Sequence, residues 1–331
     1  MRVLAGDIGG TKTLLRIAEC SVGRCRVVRE QRFDSNKYKN FSFVLREFIG
    51  AKNGEQVKFA CFGIAGPIQS SVVGQQVKVT NLPWEINSHE LAQEFGLTRA
   101  LLINDFQAVG YAIEALDVDD ILVLQQGEAV AQAPRAVLGA GTGLGQGILI
   151  WHQDHYEPVA TEGGHVNIGP TDELQIELVR YLLKTVGHAS YELVLSGHGL
   201  ARVYHFLKQR GVTPESPAVA AAMQDVDPAA VITHAALEKH DALANQALDL
   251  FVDIYGAQAG NLALTAGATG GVYVAGGIAL KIISKLKDDR FMRAFRSKGN
   301  MSPYVENIPV QIIINLQPGL LGATLAASRL I

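Results

Sequence analysis

The residue pair with the clearest capacity for chemistry is Asn104-Asp105, which follows the short apolar run Leu101-Leu102-Ile103. Phosphoryl transfer to a hydroxyl group needs a carboxylate that accepts the proton, and Asp105 can supply it. The Asn104 amide can pair with a substrate hydroxyl as both donor and acceptor. The alternative is that the two residues only cap a helix beginning at Phe106. Their position in the sequence leaves both interpretations open.

Two further stretches carry polar groups suited to hydroxyl recognition. Glu162-Gly163-Gly164-His165 places an acceptor and a titratable side chain around two glycines, and such groups can pair with sugar hydroxyls. The alternative is an ordinary solvated turn. Glu192, in "SYELVLSG", is predicted from periodicity alone to be a surface glutamate on a helix.

The N-terminal stretch "LAGDIGGTKT" resembles a phosphate-binding P-loop but lacks a required glycine, because Thr11 stands directly before Lys12. A P-loop must also open a helix, whereas the following residues 13–18 are rich in β-formers. The pattern therefore predicts a strand, a tight glycine turn and a second strand.

A second glycine-rich turn lies between the predicted strands 136–138 and 148–150, and it reads "GAGTGLG". It lacks the spacing and the following helix of a dinucleotide site. Two Gly/Thr hairpins suit the two ends of a polyphosphate, because glycine lets backbone N–H groups approach oxygens closely. Asp7 could hold the waters around Mg²⁺. Each hairpin taken alone could instead be only a tight turn, and their similarity hints at an internal duplication.

The elements that must position these groups follow a two-domain α/β pattern. A chain of 331 residues allows about two domains, and 48% hydrophobic with 18% charged residues is typical of a globular protein. Helices are predicted in segments 38–49, 87–95, 106–116, 241–265, 278–286 and 319–329, and a further helix is predicted to begin at Pro228 after the N-cap Asp227. Further strands are predicted in segments 25–31, 57–65, 101–103, 272–275 and 310–314. Residues 117–133 are predicted to connect the domains. We expect a small α/β domain, 1–115 completed by 309–331, and a large α/β domain, 116–308.

Charge and cysteine content limit the partners and the location. A net charge of −3 gives no basic surface for nucleic acid or an anionic membrane, so small-molecule partners are expected. No signal peptide or membrane-spanning stretch is predicted, which favours the cytoplasm. Cys20 and Cys25 flank a presumed hairpin turn, so a disulfide between them is sterically possible, but an odd number of cysteines without a secretion signal favours free thiols.

Taken together, seven ordered motifs resemble the bacterial ATP-dependent glucokinase family throughout the chain. They are "GDIGGT", "INDF", "GAGTGLG", "EGGHVNIGP", "LSGHGL", "VAGGI" and "QPGLLG". The resemblance implies a two-domain actin-like, ribonuclease-H-like ATPase fold with ATP and glucose in a cleft between the domains. It implies ATP and Mg²⁺ as cofactors, and we expect a homodimer.

The resemblance also implies roles for individual residues. Asp105 is similar to the catalytic base. The implied glucose ligands are Asn104, Asp105, Gly143, Glu162, His165 and Glu192, and the implied nucleotide contacts are Gly6, Asp7, Ile8, Gly9, Gly10, Thr11, Gly141, Thr142, Gly276 and Gly277. Asp7 is the expected magnesium residue, acting through water.

One departure bears on the branch of the family. Lys12-Thr13 stands where Asn-Ala usually follows "GGT", and it resembles the related repressor–kinase sugar kinases. That branch follows Glu-Gly-Gly-His with a cysteine-rich zinc motif, whereas no cysteine follows Cys61 here. The zinc-free glucokinase branch is therefore preferred.

Three other functions remain as alternatives. They are a kinase of another hexose such as mannose or fructose, a non-catalytic sugar sensor, and an actin-like ATPase that acts on proteins. A sensor that represses transcription would need a DNA-binding module, which we do not expect before a first strand at Arg2.

Overall fold

The computed structural model describes residues 1–21, 24–50, 56–72 and 74–331. The strands are β1 Arg2–Ile8, β2 Lys12–Ser21, β3 Arg24–Asp34, β4 Phe59–Ile64, β5 Ile68–Ser71, β6 Gly74–Lys78, β7 Glu85–Asn87, β8 Arg99–Asn104, β9 Ile121–Gln125, β10 Arg135–Ala140, β11 Leu144–His152, β12 His155–Thr161, β13 Val272–Ala275 and β14 Val310–Ile313.

The helices are α1 Phe41–Ile49, α2 Ser88–Phe95, α3 Asp105–Ala112, α4 Glu173–Thr185, α5 Gly197–Arg210, α6 Pro217–Asp225, α7 Pro228–Glu238, α8 Ala242–Ala266, α9 Gly277–Lys281, α10 Ile283–Leu286, α11 Arg290–Arg296, α12 Ser302–Glu306 and α13 Pro318–Ser328. The helix predicted over 278–286 is two short helices, because Ile282 leaves the helical region at φ −114° and ψ 24°. The predicted connection 117–133 contains strand β9.

By internal contacts the chain forms two compact units. The smaller unit comprises Met1–Asp120, His152–Ala160 and Asn315–Ile331, and the larger comprises Ile121–Trp151 and Thr161–Ile314. In this division β14 belongs to the larger unit, whereas the sequence-based boundary placed 309–331 with the small domain. Those sequence-based domain limits stay a prediction.

The smaller unit is built on a five-stranded sheet in the order β3-β2-β1-β4-β8. Strands β1, β4 and β8 are parallel, and β2 is antiparallel to β1. Along β1, Leu4 and Ile8 pack with the residues of α1, whereas Val3 and Ala5 pack with those of α13. This period of two buries both faces of the sheet. A separate three-stranded sheet, β5-β6-β7, completes the unit.

The larger unit contains strands β11, β10, β13, β14 and β9 of the six-stranded sheet, whose order is β12-β11-β10-β13-β14-β9. Its core surrounds α8, a helix of 25 residues that is buried on most of its surface. Helix α11 packs so closely on α8 that a Cβ at Gly256 would overlap the backbone of Phe291. A helix that is apolar all round is a core helix.

The two main sheets share one topology over five strands. In each, three consecutive strands lie side by side in reverse order, and two later strands extend the sheet in parallel from the first of the three. The correspondence is β3-β2-β1-β4-β8 with β12-β11-β10-β13-β14. The duplication suggested by the two glycine turns therefore has a counterpart in strand order.

The expectation of three free thiols is wrong for two of them. Cys20 and Cys25 lie opposite each other in the β2–β3 ladder with Cα atoms 4.1 Å apart, and they form a disulfide. Such direct cross-strand pairs bring Cβ atoms within reach of a disulfide bond. Cys61 is a buried free thiol, and burial raises its pKa.

Among the described helices, none is both long and apolar enough to cross a membrane.

Candidate active site

The first Gly/Thr turn joins β1 to β2. Hydrogen bonds from Ser35, which the sequence analysis did not single out, stabilise it. Gly9 N–H donates to the Lys12 carbonyl at 3.0 Å, which closes the turn. The fully buried Ser35 donates its hydroxyl to the Gly9 carbonyl at 3.0 Å, and its backbone N–H donates to the Thr11 carbonyl at 3.2 Å. These bonds use carbonyl groups of the turn. The turn is therefore held from its acceptor side, which suits a loop that would offer N–H groups to phosphate oxygens.

The Asp7 carboxyl lies at the end of β1, beside the start of α13. A Cβ built on Gly319 would lie 3.2 Å from Asp7 Cγ. Desolvation by burial raises the pKa of Asp7 to about 6; the Lys12 charge lowers it and the Asp105 charge raises it. The smaller unit thus places two predicted site carboxyl groups, Asp7 and Asp105, near enough to influence each other.

The motif "QPGLLG" has a structural explanation that sequence reasoning did not supply. Gly319 allows the first turn of α13 to approach the Asp7 carboxyl, and Gly322 lies directly against the backbone of Ala108 and Ala112 in α3. Helix α13 therefore packs against both elements that carry the smaller unit's acidic groups. The sequence signal for this close packing was the pair of glycines at positions 319 and 322, which lie three residues apart on one helix face.

Asn104 and Asp105 stand at the junction of β8 and α3, as expected. Asn104 Oδ1 accepts from the N–H groups of Phe106 at 2.9 Å and Gln107 at 3.3 Å, so Asn104 is the N-cap of α3. Asp105 is exposed and accepts from the Phe106 N–H at 2.8 Å. The capping interpretation is thus correct for Asn104. It leaves room for ligand binding, because the cap engages the carbonyl oxygen of the amide and not its Nδ2 donors.

In the larger unit, four predicted sugar ligands from separate parts of the chain lie together. His165 Nε2 is 3.9 Å from Glu162 Oε2, and His165 Nδ1 is 3.9 Å from Glu192 Oε1. A Cβ on Gly143 would lie 2.5 Å from Glu192 Oε2. The side chains of Glu162 and His165 are largely exposed, at 82% and 61%, so they are accessible to a ligand.

The local sequence predicted a surface position on a helix for Glu192, but the structure does not place it on a regular helix. It belongs to a short 3₁₀ turn, Tyr191–Leu193, and its Oε2 accepts from the Leu144 N–H at 2.9 Å. Leu144 follows the second Gly/Thr turn directly. The glycine at position 143 is required because any side chain there would displace the Glu192 carboxylate.

Comparisons with known proteins decide the family. The model of the glucokinase family matches residues 4–330. The chain is 43% identical to a glucokinase of Nostoc sp. (strain PCC 7120 / SAG 25.82 / UTEX 2576) over 343 residues, covering 99% of both chains. It is 41% identical to a glucokinase of Synechocystis sp. (strain ATCC 27184 / PCC 6803 / Kazusa), covering 98% of both. The chain belongs to the glucokinase family.

Solved structures agree with this assignment. A crystal structure of glucokinase from an Antarctic psychrotroph superimposes with a TM-score of 0.86 at 30% identity, covering 99% of both chains. A ROK family glucokinase from Streptomyces griseus, in complex with glucose and AMPPNP, has a TM-score of 0.62 at 20% identity over 99% of this chain, which shows a shared fold. The predicted actin-like ATPase fold, sugar-kinase class and glucokinase function are thereby confirmed.

This glucokinase also has a cavity of about 280 Å³ beside the second Gly/Thr turn. Three predicted nucleotide residues, Gly141, Thr142 and Gly277, line it. Gly276 lies at φ +93°, and a Cβ there would overlap the Ala140 backbone, so only glycine fits. The cavity can therefore accept part of a nucleotide next to two glycine turns.

Other residues that line the cavity were not predicted as ligands. They are Gly197, His198, Leu200, Asp227, Ala229, Ala230, Thr233, Ile278 and Lys281. Gly197 begins α5, and its N–H donates to the Gly141 carbonyl at 2.9 Å, so the helix N-terminus is fastened to the turn. The motif "LSGHGL" carried this signal. Asp227 also caps α7, because its side chain accepts from the Ala229 N–H at 3.3 Å.

Proposed function

We propose that this member of the glucokinase family transfers the γ-phosphoryl group of Mg-ATP to the 6-hydroxyl of glucose. The observation that carries the proposal is the cluster of Gly143, Glu162, His165 and Glu192, which brings two carboxylates and an imidazole together with a glycine turn from three separate stretches. Acceptors and donors at such spacing can pair with several hydroxyl groups of one small ligand.

In this proposal Glu162 and Glu192 accept hydrogen bonds from sugar hydroxyls. His165, between the two carboxylates, pairs with a hydroxyl through a ring nitrogen, and Asn104 adds an amide. Glu192 is pre-organised, because the Leu144 N–H fixes one of its oxygens and leaves the other toward His165. Pre-organised groups bind with a smaller loss of side-chain freedom.

Asp105 is the proposed general base. It is exposed at the N-terminus of α3, and its charge is fixed in position by the Phe106 N–H. As the bond between the 6-hydroxyl oxygen and phosphorus forms, Asp105 accepts the hydroxyl proton and ADP leaves with the pair of electrons from the broken bond. Positioning and charge neutralisation supply most of the remaining rate enhancement.

The nucleotide is proposed to contact both Gly/Thr turns. Residues Gly6, Asp7, Ile8, Gly9, Gly10 and Thr11 form the first turn region, and Gly141 and Thr142 with Gly276 and Gly277 form the second. Backbone N–H groups of such turns bind phosphate oxygens. The cavity beside Thr142 supports binding of the rest of the nucleotide there.

The residues present fit Mg²⁺ held mainly through water and phosphate. The described part of the chain contains no group of three His, Cys, Asp or Glu side chains that could hold a metal alone. It does contain Asp7, whose pKa is raised by burial. A cation bound nearby would favour the charged form of this carboxyl. Mg²⁺ usually keeps several waters and binds one or two carboxylates plus phosphates. When bound there, it would neutralise the charge of the transferred phosphoryl group.

The base assignment is tested with Asp105→Ala, using Asp154→Ala as a control. Asp154 is an exposed aspartate, 91% accessible, that pairs with His155. General-base assistance is worth about 10²–10⁴-fold, so Asp105→Ala should lower kcat by that amount while glucose still binds. Glucose binding is measured by tryptophan fluorescence and turnover by a coupled ADP assay. Near-normal turnover in Asp105→Ala would remove Asp105 from this role.

Substrate choice is tested by comparing kcat/KM for glucose, mannose, fructose and glucosamine. A site that hydrogen-bonds each hydroxyl rejects analogues that leave its polar groups unpaired. A clear preference for another hexose would replace glucose in the proposal. ADP release that is equal with and without sugar would favour an ATPase, and no ADP release would favour a sensor.

We also propose a cytoplasmic location and a homodimer. The absence of a membrane-spanning helix among the described residues is compatible with the first. Fractionation of the native cells and sedimentation of the purified protein test the two statements.

A further inference from the structure

Behind the sugar-ligand cluster, a partly buried lysine is anchored on the central helix α8. Lys298 Nζ donates to the Ala257 carbonyl and to Asn261 Oδ1, both at 2.9 Å. Burial lowers the pKa of Lys298, so its surroundings work against the charge that these two bonds stabilise. An ammonium group is costly to desolvate unless its hydrogen bonds compensate for the lost water.

The helix is shaped to accept this lysine. A Cβ on Gly260 would lie 2.5 Å from Lys298 Cε and would overlap the Phe295 carbonyl. Glycine inside a helix costs about 1 kcal/mol relative to alanine. Its use at position 260 allows the lysine stem to cross α8 and reach Asn261.

We call residues 162–170 the sugar loop, because they include Glu162 and His165. Asn261 connects Lys298 to one end of this loop by hydrogen bonds through Tyr191. Asn261 Nδ2 donates to the Tyr191 hydroxyl at 3.0 Å, and the same hydroxyl accepts from the Gly169 N–H at 3.2 Å. Tyr191 is 3% exposed. A buried tyrosine oxygen thus receives one bond from helix α8 and one from the sugar loop.

A second branch from Asn261 reaches the other end of the sugar loop. Asn261 Nδ2 also donates to Gln258 Oε1 at 3.3 Å, and Gln258 Nε2 donates to Gln146 Oε1 at 3.3 Å. That Gln146 oxygen lies 2.6 Å from the place where a Gly163 Cβ would stand. Two of the three glycines of the sugar loop, Gly163 and Gly169, therefore lie against side chains that Asn261 connects.

The same network fixes Glu192, because Tyr191 precedes it. Tyr191 N–H donates to the Val166 carbonyl at 3.0 Å, and Ile168 N–H donates to the Ala189 carbonyl at 3.0 Å. These two bonds join the sugar loop to the segment that ends in Glu192. All three charged or titratable ligands of the cluster consequently depend on one buried polar support.

We propose that Lys298, acting through Asn261 and Tyr191, is a positioning residue that holds the sugar-binding carboxylates and imidazole in their binding arrangement. The inference rests on the proposed function, because it takes Glu162, His165 and Glu192 as sugar ligands. Lys298 itself contacts no substrate. Without it, the Oδ1 of the half-buried Asn261 loses its lysine donor, and the amide is free to turn away from Tyr191 and Gln258. Side-chain networks of this kind act as a unit.

The test compares Lys298→Met with Lys285→Met. Lys285 of α10 is a matched control, because it is also a partly buried lysine that bonds to α8, through Asp249 at 2.7 Å, and the described residues show no hydrogen bond from it to the sugar loop. Loss of a hydrogen bond to a charged group corresponds to about tenfold or more in an equilibrium constant. We therefore expect Lys298→Met to raise the KM for glucose about tenfold while the KM for ATP changes less than about twofold, and Lys285→Met to change neither.

Tyr191→Phe is the second variant, because it removes one oxygen and keeps the buried ring. It should raise the glucose KM in the same direction, and the double variant with Lys298→Met should be less than additive. Equal changes in both KM values, additive effects, or a glucose KM like that of Lys285→Met would overturn the inference. Glu192→Gln separates this failure from that of the proposed site, since an unchanged glucose KM in Glu192→Gln refutes the site itself.

Discussion

The Asp7 carboxyl provides a quantitative test of the structure, because its removal should raise the unfolding free energy at high pH but lower the activity. Desolvation raises its pKa from 3.8 to about 6, with Lys12 opposing and Asp105 adding to the shift. The folded protein therefore binds the proton more tightly than the unfolded chain does. Stability from this group is complete below about pH 4 and is lost as the pH rises through about 6.

The size of the effect follows from the two pKa values. At about pH 8 the shift of about two units corresponds to a destabilisation of about 3 kcal/mol, of which about 1.4 kcal/mol develops between about pH 5 and about pH 8. Asp7→Asn removes the titration. Relative to the native chain, this variant should therefore gain about 1.4 kcal/mol in unfolding free energy between these two pH values.

The assay is urea unfolding followed by circular dichroism at both pH values, with EDTA present and no nucleotide. Asp119→Asn is the control, because Asp119 is an exposed aspartate of the same unit. The activity should change in the opposite direction: kcat of Asp7→Asn is expected to fall by about 10²-fold, since charge stabilisation by a bound cation is worth several kcal/mol. A gain in stability that is the same at both pH values would refute the desolvation argument.

Three further predictions concern single features. Gly143→Ala should raise the glucose KM about tenfold in the coupled assay, because its methyl group would displace the Glu192 carboxylate 2.5 Å away; an unchanged KM contradicts the cluster. Lys281→Met should raise the KM for ATP by about threefold to tenfold and leave the glucose KM unchanged, since Lys281 lines the cavity beside Thr142. Thiol titration in denaturant should detect one thiol before reduction and three after it; three at the outset would contradict the Cys20–Cys25 disulfide.

Local sequence signals predicted the fold best where one short segment determines the outcome. Helices α2 and α8 formed where the segments 87–95 and 241–265 predicted them, and the side-chain oxygens of Asn87 and Asp241 cap them. The strands next to both Gly/Thr turns also formed where expected. These features depend on turn chemistry and on residues three or four positions apart.

Features that depend on distant partners could not be obtained in this way. The Cys20–Cys25 bond depends on a strand register, and the small sheet β5-β6-β7 on pairings that polar, irregular sequence does not reveal. The role of Glu192 is the clearest example. Its local pattern predicts a solvated helix position, but its carboxylate bonds to a backbone group 48 residues away. Only the ordered set of motifs indicated its function.

The two candidate carboxylate positions share a construction that explains why glycine accompanies each of them. The Glu192 carboxylate lies where a Cβ on residue 143 would meet it, and the Asp7 carboxyl lies in the same way next to Gly319. In both units an acidic side chain therefore takes up space next to a glycine that has no side chain. The distances differ, at 2.5 Å to Glu192 Oε2 and 3.2 Å to Asp7 Cγ. Glu192 is confined further by a hydrogen bond from the Leu144 N–H, whereas Asp7 lies where burial opposes its charge. Because burial raises the pKa of Asp7 to about 6, a cation that bound beside this carboxyl would favour its charged form, in line with the proposed magnesium role.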